Sequence, residues 1–527
     1  MLESFLKRHD IDLMLLQEVT HENIHMISQY TAHMNIGTEG RGTAILAKEG
    51  LLLTNIQRIP SGRGIAATLQ GIRIVNLYAP SGSEKRRERE VFYNEEIVTL
   101  IPTAHTEMIL GGDFNCVLST ADCTGQGNYS KALARLVRGL DLRDAWDETT
   151  TRTVFTHYTT KGASRIDRIY ITNNLKRTQK GAEAVVAAFT DHMAIILRLA
   201  IDIPCVIRGK GYWHMNVTFL NDPHFQHKIQ ETWETWKRHF KYYPNRVSWW
   251  CRYVKRMIQL IFSREGADRR RDRVEMENFY YSAIYDAIRE QSSDETRNTT
   301  LKRLKAKIIR LNSTHYRALQ VDVGEGDRLR GEGPSLHHLL QGRKRKKQRT
   351  ILHTLDHNGA LKTTTVDILR LFTEHMKQKY DRIPTSAESM RRLLECELHT
   401  VLDGANEVLE EPITIDELSH AVKQGKSNKA PGRDGICLEF YKKTWETTKQ
   451  ELLEIMNDMY REGQITDQQK HGIIVCVPKH TAPTSPKDYR PLTLLNTDYK
   501  LLTRIIANRL RPCLTDILHP AQHCGIP

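Results

Sequence analysis

The chain has 527 residues, 39% hydrophobic and 27% charged, the composition of a globular protein of two or three domains. It contains no apolar run of spanning length, and the charge-interrupted opening Met1 to Asp10 does not read as a signal peptide. Membrane and secreted classes are therefore set aside, and a nuclear or cytoplasmic location is expected. A formal net charge of +14 is the electrostatic footprint of a polyanionic partner, and nine cysteines without a Cys-x-x-Cys pair read as reduced thiols rather than a zinc site.

In chain order, the run Ile11 to Leu16 leads into Gln17-Glu18, and Met108-Ile109-Leu110 leads into Gly111-Gly112-Asp113-Phe114-Asn115. Ser164-Arg165-Ile166-Asp167 follows, then Thr190-Asp191-His192, itself followed by the run Ala194 to Leu197. Such runs predict core strands with polar groups at their ends. Taken singly, a carboxylate at a strand end is a solvated or capping group. Taken together, these clusters meet the needs of phosphodiester cleavage: a hard cation on carboxylate oxygens, an activated water and donors for phosphoryl charge. Glu18 and Asp191 suit the cation, His192 the water and Asn115 the phosphoryl oxygens. Asp167 is the candidate for orienting the His192 ring.

From Ile11 to Leu197 the chain resembles the endonuclease/exonuclease/phosphatase superfamily, and within it the apurinic-endonuclease-like domain of LINE-type non-LTR retrotransposon polyproteins. The matching residues are Gln17-Glu18, Val75 to Pro80, Gly112 to Asn115, Ser164 to Ile169 and Asp191-His192. The resemblance implies an α/β fold, a four-layer DNase-like sandwich. It also implies a divalent cation, Mg2+ with Mn2+ as the alternative, bound by Glu18 with Asp191 close by. Tyr78 would contact the scissile phosphate, Asp113 would position or activate the attacking water, and Asn115 would support the phosphate. Asp167 or Asp191 would pair with His192. Thr156 matches a threonine near the DNA, and Thr190 stands where serine is common. Members of the family open with a strand whose asparagine helps hold the metal, and no such strand precedes Glu18 in this sequence. Weak or absent cleavage is the expectation that follows.

Past about Ala200 the periodicity becomes helical. Trp233, Trp236, Phe240, Trp249, Trp250, Val254, Met257, Ile258 and Ile261 recur at three- and four-residue steps, and read as packing groups rather than base-stacking platforms. Highly charged helical sequence continues from Lys302 to Leu319 and on toward Glu395, which suits an extended arm. The basic runs Arg264 to Arg273 and Arg343 to Arg349 are candidates for a polyanion, and the second also for nuclear import.

Toward the C-terminus, Ile413 to Leu418 opens a helix with an N-cap at Thr414 or Asp416, and Lys429-Ala430-Pro431-Gly432-Arg433-Asp434-Gly435 reads as a turn. Gly472 to Lys479 reads as a strand, followed by Tyr489 to Asn496 and a helix from Tyr499 to Leu510. This order resembles the opening of a reverse transcriptase of the same retrotransposon class. The resemblance implies that Lys479 and Arg490 hold a nucleotide triphosphate, and that Lys429 and Arg433 face the template. No paired palm aspartates follow, so polymerisation by this chain alone is not expected.

The organisation expected is an endonuclease domain over 1–200, a mainly helical basic connector over 201–410 and a partial α+β reverse transcriptase fingers region over 411–527. The expected function is nicking of target DNA for target-primed reverse transcription of an RNA template. The alternatives are a catalytically impaired nucleic-acid-binding fragment and a phosphoesterase of the superfamily with another substrate.

Overall fold

Alternating side-chain direction along largely buried strands of the first two hundred residues builds two facing sheets. In the computed structural model, strand β1 (Leu13–Val19) and strand β2 (Tyr30–Ile36) both pair antiparallel with β3 (Gly42–Lys48). The second sheet contains β4 (Thr54–Arg58), β5 (Gly64–Leu69), β6 (Ile72–Tyr78), β7 (Met108–Asp113), β8 (Leu142–Asp144) and β11 (Asp167–Thr172), in the order β4-β5-β6-β7-β11-β8. Two antiparallel hairpins complete the set, β9 (His157–Thr159) with β10 (Gly162–Ser164) and β12 (Gln179–Val186) with β13 (Met193–Leu199). The described residues are all of the chain except 21–26, 28, 39, 103–105, 126, 147–154, 202–210, 291–292, 329–350, 352, 382–384, 396–403, 481 and 518–527.

The period of two decides the layers. In β3, Ile45 and Ala47 join Ile65, Ala67, Ile72 and Ile74 in the core between the sheets, while Ala44 and Leu46 pack with Leu6 of helix α1 (Leu2–Arg8). From the six-stranded sheet, Ala66, Val75, Leu77 and Leu110 turn the other way. They meet Phe92 and Tyr93, which follow α2 (Arg86–Val91), and Ala132 and Leu133 of α3 (Lys131–Gly139). Helix, sheet, sheet and helix stack as the four layers expected. Each large side chain buried this way contributes about 1.5–3 kcal/mol before entropy is counted. The fully buried Asn76 stitches the sheets together: its amide donates to the carbonyls of Leu16 and Ala44 at 2.9 and 2.8 Å, and its oxygen accepts from Gln17 at 2.7 Å.

The chain divides into two units, Met1–Ile207 with Asp272–Arg317 and Arg208–Arg271 with Ala318–Pro527. The stretch 201–410 is thus shared between them. Helix α4 (Asn173–Thr178) lies in the first unit, and α5 (Pro223–Arg238) and α6 (Arg246–Trp249) lie in the second. Helix α7 (Lys255–Arg289) has residues in both. The first unit also holds the described side chains of α8 (Asp294–Arg328), up to Asn312.

Among the described residues, the helices on either side of the boundary between the two units find apolar partners within their own unit. In the first unit, Ile284 and Ala287 of α7 and Leu301, Leu304 and Ile308 of α8 pack on Val186, Ala188 and Met193. In the second, Trp233 and Trp250 are 0% exposed in one core with Ile258, Leu418, Phe440, Met456 and Ile505. The tryptophans are packing groups, as their spacing predicts.

Within this second unit the helix Ile415–Gln424 starts at Thr414, whose hydroxyl accepts from the Glu417 amide while Glu417 reaches back to the Thr414 amide, a capping box. The strands Ile473–Pro478 and Tyr489–Leu494 form a hairpin, and the helix Thr497–Ile517 follows. Along α7, Arg269 pairs with Asp222 and Glu265, and Arg271 with Asp268, so part of the Arg264 to Arg273 run is neutralised internally. The 343–349 run and the last residues, 518–527, lie outside the described residues. Among the described residues no helix is long and apolar enough to cross a membrane, and the six described cysteines are free.

Candidate active site

Strand register assembles the site. Strands β6 and β7 run parallel with Tyr78 opposite Asp113, and β7 and β11 run antiparallel with Asp113 opposite Asp167. Three polar side chains therefore stand in one row across neighbouring strands about 4.8 Å apart. Gly112 permits this close approach: its φ is +143°, and a Cβ there would lie 2.0 Å from the Leu77 carbonyl oxygen. After β7 the chain turns sharply at Asn115, whose φ of +48° lies in the left-handed region that asparagine tolerates.

Asp113 is 7% exposed. Burial and the charge of Asp167 raise its pKa to about 7, against the opposing effects of His192 and the Asn115 amide. Burial works against charge on the His192 ring, but Asp167, bonded to its Nδ1 at 2.8 Å, outweighs it. With the charges of Asp113 and Asp191, the His192 pKa is raised to about 9. The structure therefore brings Asp167, rather than Asp191, onto the Nδ1 of His192.

Asp191 lies on the other side of the ring, its carboxylate 3.7 Å from Nε2 of His157. The His157 interaction holds the Asp191 carboxyl well below the usual range, assisted by the charge of His192 and opposed by burial. The His157 ring stacks on His192 with centroids 4.5 Å apart, and their backbones form an isolated antiparallel bridge. Nothing in the sequence singled out His157, because a lone histidine in a short strand has no signature of its own.

Glu18 sits at a β-bulge near the end of β1 with φ +53° and receives the Tyr78 hydroxyl at 2.6 Å, with Arg41 at 3.6 Å on its other oxygen. Burial and Glu18 push the Tyr78 phenol up to about 12, which keeps it a neutral donor. Asn115 spends both amide protons inside the site, on the Ala79 carbonyl at 2.9 Å and on Asp113 at 3.0 Å. In this arrangement it holds Asp113 rather than reaching outward.

Thr156 is 1% exposed, and its hydroxyl accepts from the Ile166 and Asp167 amides at 3.1 Å each. That burial leaves Thr156 no surface to offer a ligand and makes it a support for Asp167. The Thr190 hydroxyl accepts from the His192 amide at 3.2 Å and meets Asp191 at 3.4 Å.

Glu18, Tyr78, Asp113, Asn115, Asp167, Thr190, Asp191 and His192 line one groove of about 1160 Å3, whose lining also includes the apolar Leu13, Leu15, Ile169 and Leu197. Among the described residues two donor groups converge within 4.8 Å, Asp113 with Asp167 and His192, and His157 with Asp191 and His192; Glu18 belongs to neither. The carboxylates of Glu18 and Asp191 are 54% and 76% exposed, and their hard oxygens fit a divalent cation in donor chemistry.

The four basic residues singled out in the C-terminal part lie in the second unit and are all exposed. In its hairpin Arg490 stands opposite Val477, and strand alternation puts Lys479 on that same face. The Lys479 ammonium donates to the Lys487 carbonyl at 2.6 Å. Lys429 and Arg433 flank the glycine turn, which is anchored below by Asp434. The buried Asp434 carboxylate meets Lys255 at 2.8 Å, and Lys255 also meets Asp498 at 2.8 Å.

Residues 1–192 match the endonuclease/exonuclease/phosphatase family. This stretch is an endonuclease/exonuclease/phosphatase domain. Over 472 residues the chain is 26% identical to the transposon TX1 uncharacterized 149 kDa protein of Xenopus laevis, covering 86% of this chain and 35% of that protein. It is 22% identical to a probable RNA-directed DNA polymerase from transposon X-element of Drosophila melanogaster, covering 96% of this chain and 56% of that protein. The chain therefore spans about a third and about half of these relatives' lengths. Among solved structures, an AP endonuclease from Archaeoglobus fulgidus aligns at a TM-score of 0.33 with 16% identity, over 38% of this chain and 93% of that one.

Proposed function

We propose that the domain is a divalent-metal-dependent DNA endonuclease of a non-LTR retrotransposon, which nicks target DNA to leave a 3′ hydroxyl for reverse transcription of an RNA template. The observation that carries this reading is the cross-strand row of Tyr78, Asp113 and Asp167, with His192 held at 2.8 Å from Asp167.

Glu18 and Asp191 would hold the cation, with Mg2+ the expected ion and Mn2+ the alternative. A bound divalent cation supplies Lewis-acid stabilisation of charge on a phosphoryl oxygen. The protein's own groups do the rest. Asp113, with a pKa near the working pH, accepts the proton of the attacking water as its oxygen bonds to phosphorus. Asn115 fixes the orientation of that carboxylate. His192, protonated below about pH 9 and held by Asp167, offers its Nε2 proton to the charge that builds on the phosphoryl group. The P–O3′ bond breaks, the water oxygen stays on the 5′ phosphate, and the departing oxygen takes a proton from solvent water to become the 3′ hydroxyl. The exposed Lys429, Arg433, Lys479 and Arg490 suit phosphate groups of nucleotide and template strand.

The test is conversion of supercoiled plasmid to open circles with MgCl2, compared with Asp113→Asn. Weak nicking by the wild type, falling to background in the variant, is expected. Cleavage confined to abasic duplex or to small phosphoesters would overturn the choice of substrate. Plasmid retention in a gel without nicking would favour a nucleic-acid-binding role instead.

A further inference from the structure

On α8 the apolar stripe Leu301, Leu304 and Ile308 packs against the nuclease strands, and Lys305 occupies a position inside that stripe where an apolar residue would be expected. Its ammonium is half-buried and donates to the Thr190 carbonyl at 2.7 Å. Thr190 opens the turn that delivers Asp191 and His192. The turn's other flank is held by the bridge between His157 and His192 and by the Met193 amide, bonded to the Thr156 carbonyl at 2.7 Å. Lys305 holds the side facing the helices, beside a cavity of about 380 Å3 lined by Tyr158, Thr190, Asp191, Ile284 and Leu301.

The hairpin that carries Lys305 is itself well fixed. The Tyr285 hydroxyl accepts from the Val186 amide at 3.2 Å, Arg8 donates to Asn278 at 2.7 Å, and Arg8 also lies 4.4 Å over the Tyr281 ring. A desolvated lysine at an inward position is costly unless its protons are used. Here the Thr190 carbonyl, next to Asp191 in the chain, takes one of them.

We infer that Lys305 is a positioning residue for the nuclease: it clamps the Thr190–Asp191–His192 turn from outside the sandwich and makes full activity depend on the helical hairpin 272–317. The activity arm of the test rests on the nuclease reading, whereas the exchange arm does not.

In the full chain, Lys305→Met keeps the packing stem and removes the ammonium. The expected result is a fall in kcat for plasmid nicking of roughly tenfold or more with KM within about twofold, since misplaced catalytic groups lose rate rather than binding. Amide hydrogen exchange over 187–193 should rise at least about fivefold. Lys305→Arg, which retains a donor, should recover about half of each effect. Arg303→Met removes the same charge from an exposed position of the same helix and should change neither. Equal loss in Arg303→Met would show that general phosphate attraction is responsible, and would overturn the proposal. Unchanged exchange in Lys305→Met would overturn it as well, even if the wild type nicks no DNA. In that case the nuclease reading fails separately and the exchange result alone decides the role of Lys305.

Discussion

Replacing Lys255 by methionine tests how the second unit holds its glycine turn. The Lys255, Asp434 and Asp498 side chains are 3%, 7% and 1% exposed, with both carboxylates at 2.8 Å from the ammonium. Asp498 also receives the Trp250 indole and the Gln469 amide at 3.0 Å each. Removing the ammonium leaves two facing carboxylates without a cation, a change that costs about 3–5 kcal/mol for buried pairs. At about 2–3 kcal/mol/M for urea, the unfolding midpoint should fall by about 1–2 M.

Intrinsic fluorescence reports this unit selectively, because Trp213, Trp233, Trp236, Trp249, Trp250 and Trp445 lie in it and only Trp146 lies in the other. The pH dependence has a definite sign. Burial and the charge of Asp498 raise the Asp434 pKa, and Lys255 lowers it, so the variant raises it further. A carboxylate that binds its proton more tightly when folded loses stability as pH rises through its folded pKa. The deficit of Lys255→Met should therefore be largest near pH 7 and shrink toward pH 4. A midpoint shift below about 0.3 M, or a deficit that grows on acidification, would refute the reasoning.

Asp167→Asn should lower the His192 pKa from about 9 toward the ordinary value of 6.5, read as the titration of its ring Cε1 proton by NMR; an unmoved midpoint would remove Asp167 as its partner. Because the folded pKa is raised, the stability it contributes is complete below 6.5 and is lost as pH rises through about 9. Gly112→Ala meets the Leu77 carbonyl oxygen at 2.0 Å, so β6 and β7 must separate. A drop in melting temperature of several degrees is expected, with nicking lost at temperatures where the protein remains folded. An unchanged melting curve would contradict the close approach described for this strand pair.

The layers of the sandwich were legible because period two survives in the strands: Ala44 and Leu46 alternate with Ile45 and Ala47 just as the two cores require. The convergence of Asp113, Asp167 and His192 was legible as chemistry, but not the register that produces it, since pairing of residues 54 positions apart leaves no local mark. His157 and Lys305 were invisible for opposite reasons. A single imidazole in a three-residue strand has no period to betray it, and a lysine amid Lys302, Arg303 and Lys307 reads as one more solvated charge. The long helical stretch, with few caps and a high charge, carries little local sign of what it packs on. Its stripe is completed only by partners in other elements, Val186, Ala188 and Met193 in the first unit and Leu418 and Phe440 in the second.

The row of Tyr78, Asp113 and Asp167 makes the site tolerant of one kind of genetic change and intolerant of another. Substitutions in β6, β7 or β11 that avoid close backbone approaches such as the one at Gly112 leave the register unchanged, but inserting or deleting a single codon within any of these strands turns its contributed side chain to the opposite face. One in-frame length change within such a strand would therefore remove the proposed cleavage while sparing most of the domain.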